Sequence, residues 1–279
     1  MEPIKAIHDS FWNKDDSFQN EAEMFRNIVC TDISRNRTSI PSTFHFGVNA
    51  HRAGYQAAGD SKANINADLN SPSIAVRGCL IDSITAICGG VLPTVYFDDF
   101  QAFKREQEKT HRWTQLSMLM VSMFKSQPDN EDWPEVYWRT VIGNVSAAGK
   151  PVTSDFAFYF RCFLAAIEAY IESNSQQEFN ERIPSEVSSC ARQFITAVKA
   201  NWSRRVLFAT KRGYIGLAPP KTAQGDLICV IFGTVTPFIL KKSLDADKEA
   251  YTLVGECYIH GLMKGEGLKL GEEQEIVLV

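Results

Sequence analysis

The stretch from Arg204 to Glu266 constrains the fold more than any other, because its short apolar runs are separated by glycine, proline and aspartate. These residues supply the positive or fixed φ angles that tight turns need, so the pattern predicts strands joined by turns. The run Leu227–Phe232 is apolar at every position and predicts a strand that is buried on both faces. About five strands in so short a stretch are typical of a small antiparallel β-barrel-like unit, which we expect over residues 204–279.

Upstream of this stretch, the hydrophobic periodicity is mostly that of helices. The run from Ser154 to Ile171 keeps one apolar face at a spacing of three and four residues, and Ser154 is placed to cap it. Helices are predicted for the stretches 18–30, 97–113, 116–124, 154–171 and 187–198.

One upstream stretch, near 74–87, alternates like a strand and then becomes uniformly apolar. We therefore expect an α+β fold in which a mainly helical body, residues 1–203 with this one strand, packs against the C-terminal unit. No flexible linker separates residues 1–203 from residues 204–279, so the two regions are expected to share one core.

The composition argues against several classes of function. The formal net charge is −4, from interspersed acids and bases, so nucleic acid is not an expected partner. The 7 cysteines are scattered singly, as in proteins of a reducing compartment, and we expect a cytoplasmic protein. No run approaches the roughly 20 apolar residues of a membrane span, and no phosphate-loop, dinucleotide or metal-ligand spacing is complete. No membrane span, cofactor or metal is therefore expected.

Several short motifs in the chain recur together in one known family. They are Thr210-Lys-Arg-Gly-Tyr-Ile-Gly-Leu-Ala-Pro219, Gly225-Asp226, Ile228-Cys-Val230, Pro237-Phe-Ile-Leu240, Leu253-Val-Gly-Glu-Cys-Tyr-Ile-His-Gly261 and Gly265-Glu266, with Val76-Arg77-Gly78, Asp82-Ser-Ile84 and Trp138-Arg-Thr-Val-Ile-Gly143 upstream. This set resembles the C-terminal region of fungal heterokaryon-incompatibility (HET domain) proteins. The Tyr-x-Ala-Leu-Ser-Tyr-x-Trp-Gly, Trp-Ile-Asp and Cys-Ile-x-Gln elements of the HET domain itself are not found. The resemblance is therefore to the region that follows that domain.

The resemblance implies a role in nonself recognition and programmed cell death. In that family the HET domain, which is similar to the TIR fold, would be the effector. This chain would then sense, inhibit or assemble with it, so the implied partner is a HET-domain effector in cis or in trans. The chain would be a fragment of a longer protein, a degenerate member or a stand-alone partner.

The residues most suggestive of chemistry lie between Glu256 and His260. A thiol near an imidazole can act as a nucleophile, but side chains alternate across a strand, so Cys257 and His260 are expected to point apart. Cys257 is interpreted as a core residue. Glu256, Tyr258 and His260 would share the other face, where they could form an acid/base cluster or take part in structural hydrogen bonds.

Two basic pairs flank one predicted strand and form a candidate binding site for a phosphate or an acidic peptide. They are Arg204, Arg205, Lys211 and Arg212. The more ordinary interpretation is that these four residues form a solvent-exposed rim without a binding function.

Our leading hypothesis is a non-enzymatic regulatory or interaction module. It predicts that the polar side chains are buried in structural hydrogen bonds, while an apolar patch or sheet edge is exposed for a partner. One alternative is an enzyme whose pocket lies between helices and barrel and uses Glu256, Tyr258 and His260, beside Arg205 or Arg77. Another alternative is a barrel that binds a small ligand without catalysis.

Overall fold

The computed structural model describes residues 53–67, 73–88, 100–125, 131–202, 205–243 and 249–279. These residues form a 9-stranded mixed sheet and several helices. In chain order the elements are β1 (Ile65–Ala67), β2 (Ile74–Cys88), α1 (Phe100–Phe124), α2 (Trp133–Val141), α3 (Asp155–Glu172), α4 (Gln176–Arg182), α5 (Ser185–Trp202), β3 (Val206–Thr210), β4 (Ile215–Ala218), β5 (Leu227–Ile231), β6 (Phe238–Lys242), β7 (Tyr251–Glu256), β8 (Tyr258–Ile259), a 3-10 helix (Glu266–Lys269) and β9 (Glu273–Leu278). The predicted helix at 18–30 lies outside the described residues.

The helices agree with the hydrophobic pattern in position but not in number. The stretches 97–113 and 116–124 were predicted as two helices, but from Phe100 to Phe124 they form the single helix α1. The polar residues between the two apolar patterns are therefore part of a continuous helix. Ser154 is the N-cap residue of α3, although its side chain makes no capping hydrogen bond. The short helix α4 in the connection that follows α3 was not predicted.

Strand β2 is the centre of the sheet. It pairs with β1 and β9 through its first half and with β5 and β3 further along. The α+β class is confirmed, but the expected arrangement of a mainly helical body followed by a C-terminal antiparallel barrel-like unit is not matched. Strands β1 and β2 precede helices α1–α5 in the chain, so the sheet begins upstream of these helices. The long strand β2 then pairs with strands of the C-terminal region.

Five strands, β2, β5, β6, β7 and β9, form a closed circuit of pairings that we call the five-strand circuit. Its closure includes one parallel contact, Tyr251 with Leu278, so the sheet is mixed and not wholly antiparallel as expected. Each of the five strands contributes one buried residue to a common apolar cluster. These residues are Val76, Cys229, Leu240, Tyr251 and Ile276.

Strands β3 and β4 lie between two apolar layers. Leu207 and Leu217 pack with the helices, while Val206 and Phe208 pack on the other side with residues of β2 and β5. The end of β8 lies beside this junction, since β8 pairs with β4. The candidate site is therefore placed between the helices and the sheet. Within the described part of the chain, no helix is both long and apolar enough to cross a membrane.

Candidate functional site

Tyr258 is placed by the pairing of β8 with β4. Leu217 lies opposite Tyr258 and Gly216 lies opposite Ile259. A Cβ atom on Gly216 would lie only 2.3 Å from the main-chain oxygen of Tyr258 and 2.5 Å from the Phe208 ring. Gly216 lies inside β4, where the close approach of two backbones and a ring requires a residue without a side chain. The Tyr258 side chain then packs among residues of the helical layer.

A chain of two hydrogen bonds joins Tyr258 to the helical layer. The Tyr258 hydroxyl lies 3.1 Å from Nδ1 of His260, and Nε2 of His260 lies 2.6 Å from Oε2 of Glu131. In the tautomer protonated at Nε2, the imidazole donates to the carboxylate and accepts from the phenol. We call these three residues the Glu131–His260–Tyr258 chain. It connects the residues just before α2 to the end of β8.

The electrostatics of this chain keep the Tyr258 phenol protonated. Burial raises the pKa of Tyr258 well above its ordinary value, and the neighbouring Tyr55 hydroxyl raises it further. The hydrogen bond from His260 lowers the pKa of Glu131, although partial burial acts in the opposite direction. A carboxylate that orients an imidazole beside a hydroxyl is an arrangement that enzymes use, but Tyr258 as a whole is only 2% exposed. An external substrate cannot reach it in this conformation.

Glu256 is not part of this chain of hydrogen bonds within the described residues. Its main-chain oxygen accepts a hydrogen bond of 2.9 Å from the guanidinium of Arg205. Its carboxylate oxygen Oε2 is buried without a hydrogen-bond partner among the described residues. Burial lowers the pKa of Arg205 to about 10, while the nearby Cys257 and Glu256 side chains raise it. Arg205 therefore donates to the main chain at the end of β7, and its charge lies near the Glu256 carboxylate.

The predicted basic residues do not form one site. Arg205 is buried, whereas Lys211 and Arg212 are exposed at the other end of β3, roughly 17 Å away for a five-residue strand. The Arg212 guanidinium donates to the main-chain oxygen of Leu270 at 3.2 Å. Arg204 lies outside the described residues. One phosphate or one carboxylate group could therefore not contact Arg205 and the Lys211–Arg212 turn at the same time.

Arg77 and Cys257 are not part of the Glu131–His260–Tyr258 chain. Arg77 forms an exposed ion pair of 2.6 Å with Glu273 on the five-strand circuit. Cys257 is fully buried in the same apolar cluster as Ile259, which confirms the core interpretation. Burial raises the pKa of the Cys257 thiol well above its ordinary value, so it is not a thiolate. The described residues hold no group of three side chains suited to a metal ion.

Sequence reasoning missed two residues of the site, Glu131 and Tyr55. Glu131 is 129 positions from His260, and nothing in the sequence around it distinguishes it from other acidic residues. Tyr55 lies before the resembling motifs, yet its ring centroid is 5.8 Å from that of Tyr258. Only the tertiary structure brings these residues together.

The fold and site define an α+β protein with a closed five-strand circuit, in which a hydrogen-bonded chain runs from the partly exposed Glu131 through His260 to the buried Tyr258. The chain belongs to the family described as Het-6 beta-barrel domain, which it matches over residues 73–279. It is also 31% identical over 72 residues to Heterokaryon incompatibility protein 6, OR allele, of Neurospora crassa. That stretch covers 26% of this chain but only 11% of the length of the Neurospora protein. No solved structure matches the chain.

Proposed function

We propose that this chain is a non-enzymatic recognition module of fungal nonself recognition, and that its five-strand circuit is the barrel named in the family description. Its partner would be a protein, with a HET-domain effector in cis or in trans as the expected one. The setting would be the cytoplasm and the outcome programmed cell death. The family match and the printed name of the Neurospora relative support this assignment.

The observation that carries the proposal is the burial of the Tyr258 hydroxyl at the end of the Glu131–His260–Tyr258 chain. A catalytic hydroxyl must reach its substrate, whereas a buried, fully bonded one fixes the position of two layers. Glu256, the third member of the suggested acid/base cluster, is bonded through its backbone to Arg205 instead. The bonds of Tyr258 and His260 support the module hypothesis, whereas Oε2 of Glu256, buried without a hydrogen-bond partner among the described residues, does not.

The same hypothesis predicts an exposed apolar surface, and one is present around the start of β2. Ile65 on β1 is 63% exposed, Ile74 is 44% exposed and the terminal Val279 is 49% exposed. Ile65 and Ile74 lie on the paired strands β1 and β2, and Val279 directly follows β9, which also pairs with the first half of β2. Exposed apolar residues on adjoining strands are typical of a protein-binding surface.

A specific observation also keeps the enzyme alternative open. Glu131, His260 and Tyr258 are ordered as carboxylate, imidazole and hydroxyl, which is the order in which an activated nucleophile is built. Catalysis would require a conformation in which the phenol becomes accessible. The Tyr258→Phe variant separates the two proposals, because it keeps the ring and removes only the hydroxyl.

The test is heterokaryon formation between strains that differ only in this chain. We expect Tyr258→Phe to keep the incompatibility response, since recognition does not need the hydroxyl, and Ile65→Asp with Ile74→Asp to abolish it. Thermal melting of each variant serves as the folding control. A Tyr258→Phe protein that melts like wild type but gives no response would overturn the non-enzymatic proposal.

A further inference from the structure

The segment Ala53–Ser61, which we call the strap, crosses the site without forming a regular strand. Its main chain bonds to two loops of the sheet. The amide of Gln56 donates to the carbonyl of Met263 at 2.8 Å, and the amides of Ala57 and Ala58 donate to the carbonyls of Val235 and Thr234 at 3.1 and 3.2 Å, respectively. The strap itself folds as a turn, in which the amide of Gly59 donates to the carbonyl of Gln56 at 2.8 Å, and it uses three acceptors of the two loops.

Tyr55 is the one large side chain of the strap. It is 7% exposed, its hydroxyl donates to the main-chain oxygen of Gly143 at the end of α2, and its ring packs near Tyr258. Its hydroxyl is also close enough to Arg205 for the guanidinium charge to lower its pKa, although burial raises that pKa more strongly. The other strap residues are small or polar, so Tyr55 supplies most of the apolar contact.

We propose that the strap is a releasable cover, and that the cleft beneath it binds a peptide segment of a protein partner that adopts the same turn and makes the same contacts, one tyrosine and three main-chain hydrogen bonds. Release would uncover Arg205, Glu256 and Tyr258. The strap also lies outside the family match, which begins at residue 73, although it is bonded to loops inside that match. The cleft is thus formed by the family domain, and the strap is a separate occupant of it.

The strap itself indicates the chemistry of the partner segment. The carbonyls of Met263, Val235 and Thr234 need amide donors from three successive residues. The space that Tyr55 fills, next to the main-chain oxygen of Gly143, needs an aromatic ring with a hydroxyl donor. Small residues must stand two and three positions after the tyrosine, because Ala57 and Ala58 are 0% and 1% exposed and leave no space for larger ones. This inference deepens the proposed recognition function and rests on it.

The probe is a fluorescent peptide with the sequence of residues 53–61, added to the full-length protein. We compare wild type, Tyr55→Ala and the control Tyr170→Ala, because Tyr170 is also 7% exposed but packs in α3 against Phe100 and Phe103. Hydrogen exchange at residues 56–58 measures release of the strap. We expect exchange there, and affinity for the peptide, to rise at least about tenfold in Tyr55→Ala alone. A peptide with its tyrosine replaced by alanine should not bind.

Two results would overturn the inference. One is unchanged exchange at residues 56–58 in Tyr55→Ala, and the other is faster exchange without selective peptide binding. If Tyr55→Ala does not fold, Tyr55→Phe removes only the bond to Gly143, and strap exchange should rise roughly fivefold, as for one lost hydrogen bond. The heterokaryon test keeps Tyr55 intact, so failure of the strap inference is distinguishable from failure of the proposed function.

Discussion

Replacing Gly216 by alanine tests how closely β4, β8 and the Phe208 ring must approach. The added Cβ would lie 2.3 Å from the Tyr258 oxygen and 2.5 and 2.8 Å from two carbons of the Phe208 ring. Ordinary contact distances are about 3.5 Å, so the neighbours would have to move by about 1 Å. Neither can move freely, because Phe208 is 0% exposed and Tyr258 is paired with Leu217.

The expected destabilisation has two parts. Overpacking a well-packed core costs about 1–3 kcal/mol, and separating β8 from β4 sacrifices hydrogen bonds worth about 1 kcal/mol each. We therefore expect Gly216→Ala to lose about 3–5 kcal/mol. For a chain of this size the melting temperature should fall by roughly 6–20 °C. The shift of Tyr258 should also change the NMR signals of the His260 ring, its hydrogen-bond partner.

Differential scanning calorimetry measures the loss, with Gly225→Ala as the matched control. Gly225 has a φ of 90°, but a Cβ atom there would meet nothing within 4 Å. The control should therefore lose only the backbone strain of a left-handed residue, about 1–2 kcal/mol. If Gly216→Ala melts no lower than Gly225→Ala, the close approach does not limit stability and the reasoning is refuted.

Three further predictions concern the polar residues of the site. Tyr258→Phe should cost about 1 kcal/mol in urea unfolding, and an unchanged midpoint would show that the bond to His260 contributes nothing. The pKa of Glu131 is lowered in the folded protein, so its ionised carboxylate stabilises the fold above the ordinary pKa of 4.5, and this stabilisation is lost as the pH falls through the folded pKa. In Glu131→Gln the free energy of unfolding should therefore fall less steeply at acid pH than in wild type. Equal pH dependence of the two proteins would contradict this prediction. Arg205→Ala should cost about 1–3 kcal/mol because it removes the hydrogen bond to the main-chain oxygen of Glu256. The guanidinium is also a charge near the Glu256 carboxylate, so adding Glu256→Gln should recover part of that loss in a double-mutant cycle.

The local features of this fold follow from the sequence because they depend on residues close together in the chain. The apolar run at 227–232 predicted a strand with both faces covered, and in β5 Ile228 and Cys229 indeed belong to different apolar clusters. The alternation near 74–87 likewise predicted β2. Periodicity reports which faces of an element are buried, and it does so whichever elements cover them.

Pairing partners could not be predicted in the same way. The apolar pattern of β2 is compatible with any neighbour, and its pairing with four other strands depends on contacts far along the chain. The Glu131–His260–Tyr258 chain has the same origin, since Tyr258 and His260 are neighbours in sequence but Glu131 is brought to them by the packing of α2 on the sheet. The sequence around a charged residue such as Glu131 does not indicate which histidine it will contact.

The polar residues between helices and sheet give this protein a fixed relation between its two layers. An apolar contact between the layers is non-directional and tolerates sliding, whereas Glu131, His260 and Tyr258 must align within hydrogen-bond distance. A misaligned docking would leave a buried phenol unpaired, which costs about 1–3 kcal/mol. The strap depends on the same alignment, because Tyr55 contacts both Tyr258 on the sheet and Gly143 at the end of α2. A partner segment whose tyrosine replaces Tyr55 would therefore contact both layers at once, and it would bind only when the layers are aligned.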